Sequence, residues 1–495
     1  MKGFFKTMIL PIISAILGIL ACFYAFNLSF LGLLFLIPLF IFYIKENKLK
    51  NLIWGTLIFR ILWGAGVAFS LFDPILFTLE SVVILGLPVC IYFIKKSARK
   101  SSKSCNDSKV PIILLISLPF LWTFWEYLQA RFNLIPSFIL TSGNILGSSN
   151  FLGLAALGGY PLLIFFCALT NILGTVLALN FKRFNPKWRL NLCVLIALIT
   201  LVFSVGQVSK IQLQKNALAY QAHKNILKVV AVSNNEYFDK KLQTNLLQNH
   251  WGGIDIPSQI QTEIDRLLKP LEEDLSHKEI DLLILPEHFI DLKSIENVLK
   301  IESGKELKKA YQRLAQKLKT NLAVVFANYQ EGKRYNSTFL FDENELKEIH
   351  NKRHLTIKGE VFPLENGRPF YVRGKELKIL KVKDVPFASA ICLEIYYPND
   401  MKKVKRLGAQ FISCFISNRW ADARLSLKEY LFLANNSKKI TAVWLKMPIV
   451  SAGRNDYAGI YLPSGETQLI NLSNLINSNK NDKNYAVFFG EIKYR

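Results

Sequence analysis

Phe387-Ala-Ser-Ala-Ile391-Cys392-Leu393-Glu394 decides how the rest of the chain is read. Phe387 to Ile391 are small or apolar, as in a buried strand, and a cysteine stands where that run gives way to a turn. A thiol at the end of a core strand is held rigidly and can still face a pocket. Taken alone, Cys392 reads as a small core hydrophobe, which is how most free cysteines behave. Its company elsewhere in the sequence changes that reading.

Strand-like runs recur at 228–233, 280–286, 321–328, 336–341, 377–382, 386–392, 410–417, 441–446, 458–462 and 485–491. Helical patterns intervene at 257–275, 305–319, 399–407 and 426–438. Strands alternating with helices predict an α/β domain with helix-covered sheets. The 495 residues allow two or three domains, and the hydrophobic fraction of 51% is concentrated before about residue 210. The organisation expected is therefore a helical membrane domain over 1–208, a polar connector over 209–227 that continues the last helix, and a globular domain over 228–495.

Seven apolar segments, at 7–26, 29–45, 52–71, 75–94, 110–130, 150–180 and 190–208, approach the ~20 residues that cross a bilayer. Positive charge falls in alternate loops: Lys2 and Lys6, Lys45 to Lys50, Lys95 to Lys109, and Lys182 to Arg189. The opposite loops, near Asn27, at Phe72-Asp73-Pro74 and over 132–149, carry almost none. By the positive-inside rule the N-terminus is cytoplasmic, and seven crossings put everything after Val208 outside, in the periplasm of a double-membrane bacterium. The same pattern assigns the net charge of +24 to membrane topology and not to nucleic acid. Within the spans, Arg60 and Glu126 are ionisable groups that either face the bundle interior or snorkel to an interface. The Gly-, Ser- and Pro-flecked stretch 132–161 suits a re-entrant or membrane-surface element.

No CxxC or Cys/His cluster is present, so no metal site is expected; no GxGxxG or Walker loop gives a nucleotide cofactor a foothold, and no GxSxG marks a serine hydrolase. No cofactor is expected. His350 and His354 sit in a charged segment and read as surface residues. Three stretches nevertheless share one feature, a reactive side chain at or just past a strand end. Asp281-Leu-Leu-Ile-Leu-Pro286-Glu287 offers a carboxylate, His350-Asn-Lys352-Arg-His354-Leu355 offers an ammonium, and Cys392 offers a thiol. These types fit covalent acyl chemistry. A carboxylate can deprotonate a thiol that is mostly protonated at neutral pH, the thiolate is a nucleophile, and an ammonium steadies an oxyanion.

On these residues the chain resembles the apolipoprotein N-acyltransferases, the integral-membrane branch of the nitrilase (carbon–nitrogen hydrolase) superfamily. The family's WPES-like strand end matches Leu285-Pro286-Glu287. Its YNS matches Tyr335-Asn336-Ser337, and its Y-x-K-x-x-L-V-P-F-G-E-x-x-P matches HNKRHLTIKGEVFP at 350–363. Its ICYE matches Ile391-Cys392-Leu393-Glu394, and its SN-x-x-W matches Ser417-Asn418-Arg419-Trp420. WGAG at 63–66 and Trp122 to Leu128 look like further signatures. The resemblance implies a multi-pass α-helical membrane domain followed by a nitrilase-like αββα sandwich. It implies a Glu287–Lys352–Cys392 triad with Glu360 and Glu394 in support, and Trp420, Asn418 and Glu126 as substrate-binding residues. It also implies a phospholipid donor, a diacylglyceryl-cysteine apolipoprotein acceptor and a bacterial inner-membrane location.

Departures accompany the match. LVPFGE reads Leu355-Thr-Ile-Lys358-Gly-Glu360, the tyrosine after the nucleophile is Leu393, and the arginine expected after WEYL is Gln129. The QGN-type turn reads Ser233-Asn234-Asn235. The family ends in an eighth membrane helix, whereas this sequence stops at Tyr494-Arg495 after a strand-like run. Two rival expectations follow: a membrane-anchored amidase, in which water replaces the amine, and a divergent paralogue without catalysis.

Overall fold

The computed structural model describes residues 2–22, 29–68, 86–98, 112–131, 141–181, 188–234, 256–290, 304–361, 370–418, 427–470 and 485–495. The chain forms two compact units, one of residues 1–216 with 423–444, the other of 217–422 with 445–495.

The first unit is helical: α1 (Lys2–Cys22), α2 (Ile37–Lys45), α3 (Leu49–Ala68), α4 (86–98), α5 (Ile112–Arg131), α6 (Ala155–Phe181) and α7 (Trp188–Gln221). Among the described residues, three helical segments are long and apolar enough to cross a membrane: Ile112–Gln129, Leu152–Leu179 and Asn191–Gln221. They also leave large apolar side chains exposed, among them Ile112, Ile116, Phe120 and Phe124 on α5 and Leu195, Ile199 and Phe203 on α7. Such stripes are what a soluble surface avoids. The apolar segment at 29–45 is a 3₁₀ turn over Ser29–Leu33 followed by the nine-residue α2 with a proline in its first turn. Part of the segment expected at 75–94 lies outside the described residues. The last helix runs on through the polar connector to Gln221, as its sequence predicts.

Residues 141–154 fold as short helical turns, buried over 141–147 and 152–154. Glu126 holds the start of this stretch. Its carboxylate accepts the Ser142 amide at 3.0 Å and the Ser142 hydroxyl at 2.7 Å. Glu126 therefore faces the interior of this unit. Arg60 donates to Gln129 at 3.1 Å and lies over the Trp63 ring.

The second unit holds a twelve-stranded sheet. Its strands are β1 (Asn225–Asn234), β2 (Leu282–Glu287), β3 (Asn321–Gln330), β4 (Lys333–Phe341), β5 (Leu346–Asn351), β6 (Ile379–Val382), β7 (Val385–Ile391), β8 (Phe411–Ser417), β9 (Ile449–Arg454), β10 (Gly459–Tyr461), β11 (Thr467–Leu469) and β12 (Tyr485–Tyr494). The main order is β5-β4-β3-β2-β1-β9-β8-β7-β6. The halves join where Ser233 and Asn234 pair with Gly453 and Arg454, and the sheet then folds onto itself. One apolar core lies between the halves, with Val229, Ala231, Leu282 and Val325 from one and Phe387, Ile391, Phe411 and Ala452 from the other. A second core lies under α8 (Ile256–Leu275) and α9 (Gly304–Leu318), whose apolar faces cover β1 to β4, while α10 (Pro398–Arg406) links β7 to β8. This is the expected nitrilase-like α/β arrangement.

Two assignments are corrected. Residues 441–446 are not a strand. They complete α11 (Leu427–Leu445), whose buried Ile440, Ala442, Val443 and Leu445 prolong a helical surface until Lys446 turns to positive φ. The strand begins after Pro448. α11 also groups with the helical unit: Tyr160 donates to the Ser437 carbonyl at 2.9 Å and Asn144 to that of Leu433 at 2.9 Å. Strand β5 was hidden by its mostly polar, non-alternating side chains, Leu346-Lys-Glu-Ile-His-Asn351.

Candidate active site

Three strand ends converge. β2 runs out at Glu287, and the next residue, His288, takes φ +53, which ends the strand and leaves the carboxylate at its tip. Lys352 follows β5 directly. Its amide donates to the Asn336 carbonyl at 2.8 Å, and its carbonyl accepts Gly374 at 2.7 Å. Any side chain at Gly374 would meet the Asn351 carbonyl at 2.2 Å, so only glycine lets that strap pass so close. Cys392 follows β7 with φ +49, rare for a residue with a β-carbon, and opens a 3₁₀ turn over Cys392–Tyr396.

Lys352 is 1% exposed and stands between two buried carboxylates, Glu287 Oε1 at 3.3 Å and Glu360 Oε1 at 3.0 Å. Asn336 ties those carboxylates together, its Nδ2 donating to Glu287 at 2.8 Å and to Glu360 at 2.6 Å. Glu360 sits on a π-helical turn over Ile357–Val361, and its other oxygen takes the Thr356 amide at 2.6 Å and the Thr356 hydroxyl. Burial opposes charge on Lys352. The carboxylates of Glu287 and Glu360 overcome it and hold the ammonium's pKa well above the usual lysine value. Burial would also raise the Glu360 pKa, but Lys352, Thr356 and Asn336 bring it below the ordinary carboxylate value. The half-buried Cys392 thiol is pushed up by desolvation and by the Glu287 charge, against a downward pull from Lys352 and the Ser417 backbone. The resting nucleophile is thus a protonated thiol beside a permanent cation and a carboxylate, which calls for a general base.

Glu394 joins the nucleophile to the lysine. One oxygen accepts the Ile391 amide at 3.0 Å, just before Cys392; the other accepts the Arg353 amide at 2.7 Å, just after Lys352. Burial would raise its pKa, yet these bonds and His350 lower it below the ordinary value. A carboxylate with a lowered folded pKa stabilises the fold above its unfolded pKa, and that stability goes as pH falls through the folded value. For Glu360 and Glu394 the loss is expected below about pH 4.3, the free glutamate value. The urea midpoint of unfolding should therefore be flat near neutrality and drop in acid. Glu394→Gln should lower the neutral midpoint and flatten the acid drop; a midpoint equal to wild type at pH 7 contradicts this assignment.

The structure thus brings together Glu287, Lys352, Glu360, Cys392 and Glu394. Asn418 is buried beyond β8; its amide donates to the Arg454 carbonyl at 2.9 Å and its side chain to Asp456 at 3.3 Å, so it anchors a turn. Trp420 lies outside the described residues, and Glu126 belongs to the helical unit. Asn336 and Thr356 carried no role in the sequence reading. The signal for Asn336 was available, since a strand ending in apolar Phe339-Leu-Phe341 carries an asparagine that is fully buried. Asn336→Ala strips a donor from both carboxylates. It should destabilise the fold by about 1–3 kcal/mol, read as a lower melting temperature, and slow Cys392 alkylation; unchanged melting contradicts the bridging role. His350 and His354 correct the surface reading. His350 is 1% exposed, and His354 is half-buried with Nε2 2.6 Å from Asp400 Oδ2.

The sequence profile described as Carbon-nitrogen hydrolase matches residues 208–471. This region is similar to several solved structures. XC1258 from Xanthomonas campestris, a CN-hydrolase superfamily protein, is 17% identical, with 55% of this chain and 91% of that chain covered and a TM-score of 0.39. A carbon-nitrogen hydrolase from Helicobacter pylori G27 is 13% identical, covering 54% and 89% with a TM-score of 0.40. Saccharomyces cerevisiae Nit3, of the nitrilase superfamily, is 16% identical, covering 55% and 91% with a TM-score of 0.37. No curated protein matches the chain.

Proposed function

The chain belongs to the carbon-nitrogen hydrolase family, and from that premise we propose that it is a membrane-integral N-acyltransferase of lipoprotein maturation. The phospholipid is the acyl donor and the N-terminal amine of a diacylglyceryl-cysteine apolipoprotein is the acceptor. The observation that carries the reading is Lys352 held between Glu287 and Glu360 at the strand end beside the Cys392 turn. The three long apolar helices with outward apolar stripes support a membrane-bound substrate. In this reading seven spans cross a bacterial inner membrane from a cytoplasmic N-terminus, and the α/β unit works in the periplasm.

Glu287 takes the Cys392 proton and the thiolate attacks the donor's ester carbonyl. The Lys352 ammonium faces the oxyanion as it forms. Collapse leaves an acyl thioester, and the lysophospholipid departs with the proton returned by Glu287. The acceptor's neutral amine then attacks the thioester, Glu287 or Glu360 accepts the amine proton, and the thiol is restored. The sequence of steps is ping-pong.

Incubation of the purified protein with phospholipid vesicles and a diacylglyceryl-cysteine lipopeptide tests the reading. An N-acylated lipopeptide and lysophospholipid are expected in equal amounts. Free fatty acid with no N-acylated product would assign the chain to the amidase-like alternative, and neither product, with Cys392 untouched, to a paralogue without catalysis.

A further inference from the structure

His350 is one of the buried ionisable side chains that the mechanism does not use. His350 lies in β5 opposite Thr338 of β4, and Thr338 Oγ1 is 2.6 Å from Ser389 Oγ of β7 across the inter-sheet core. Ser389 in turn pairs with Ser413 of β8. His350, Thr338, Ser389 and Ser413 thus form one polar row through both halves of the sheet. One layer nearer the site stand Asn336 and Lys352, and one layer deeper stand Leu340, Phe387 and Phe411 of the apolar core.

The row's outer member points at Glu394. His350 Nε2 is 3.8 Å from Glu394 Oε2, and neither ring nitrogen has a hydrogen-bond partner at this separation. Leaving two buried imidazole nitrogens unbonded is costly and needs a reason. Among the described residues, every hydrogen bond to the Glu394 carboxylate comes from a backbone amide, those of Ile391, Arg353 and His354. His350 is the one side chain set to steady it from below.

We propose that His350 is a positioning residue, closing Nε2–H onto Glu394 Oε2 and so fixing the carboxylate that holds Cys392 at its distance from Lys352. Catalytic contacts are often long in a free enzyme and tighten when the site is loaded. A shift of about 1 Å in such a pair costs on the order of 10²-fold in rate. The inference rests on the proposed partnership of Cys392 and Lys352, but its test needs no acyl substrate.

The test is the alkylation rate of Cys392 by iodoacetamide at pH 7 in the full-length protein, read on the Cys392 peptide by mass spectrometry. His350→Leu should slow it about tenfold or more, because a displaced Lys352 favours the thiolate less. His350→Gln, which keeps a donor, should recover most of the rate. In a Glu394→Gln background His350→Leu should add no further loss. Wild-type alkylation in His350→Leu, equal losses in the Leu and Gln variants, or losses that multiply with Glu394→Gln would each overturn the assignment. If His350→Leu fails to fold, His350→Phe, which keeps a planar ring without a donor, takes its place. A protein that transfers no acyl group but shows this pattern refutes the proposed function and leaves the positioning role standing.

Discussion

Cys392→Ser is expected to abolish acyl transfer, a loss on the order of 10⁴-fold or more. The argument turns on what the site supplies. Among the described residues a carboxylate is the base set beside the nucleophile, and the thiol it must deprotonate is already raised by burial and by Glu287. A serine hydroxyl in the same place is a far weaker acid, and neither a carboxylate nor a nearby ammonium makes an alkoxide of it at neutral pH. Cys392→Ser changes little in volume at a half-buried position, so melting should stay near wild type and the loss be chemical. Substantial transfer by the serine variant would refute the nucleophile assignment.

Lys352→Ala is expected to cost on the order of 10²–10³ in rate, the usual range for one oxyanion donor. It should also destabilise the fold by about 3–5 kcal/mol, because Glu287 and Glu360 then face each other buried and without a counter-ion. The two effects separate in a double variant. Lys352→Met with Glu360→Gln removes the cation and one of its anions, so much of the stability should return while transfer stays low. Recovery of both would mean that Lys352 serves folding alone. Loss of neither in Lys352→Ala would refute the ion-paired geometry itself.

How far the sequence carried these conclusions depended on what each residue's neighbours are. Glu287 and Cys392 stood out because each closes a run of core residues, Leu282 to Pro286 and Phe387 to Ile391, so the polar side chain marks the strand end. Lys352 was legible only through its motif, since β5 is an edge strand in which Lys347, Glu348 and Asn351 interrupt any apolar alternation. The same polar composition disguised His350. Its inward face follows from pairing with Thr338, a long-range fact that no local pattern records. Thr441-Ala-Val-Trp-Leu445 misled for the opposite reason: β-branched and aromatic residues suit a strand, but here they continue a helical face begun at Leu427. For Glu126 the sequence left the interior and an interface both open, and its contacts with Ser142 place it in the interior of the helical unit.

The central claim is that Cys392 carries the acyl group between two membrane-bound substrates. The most direct measurement is the intact mass of the purified protein after exposure to phospholipid, before and after addition of a lipopeptide amine. The account predicts an added mass of one acyl chain, located on the Cys392 peptide, that disappears as the amine becomes acylated. An unmodified Cys392 alongside N-acylated lipopeptide, or an adduct the amine never discharges, would contradict it.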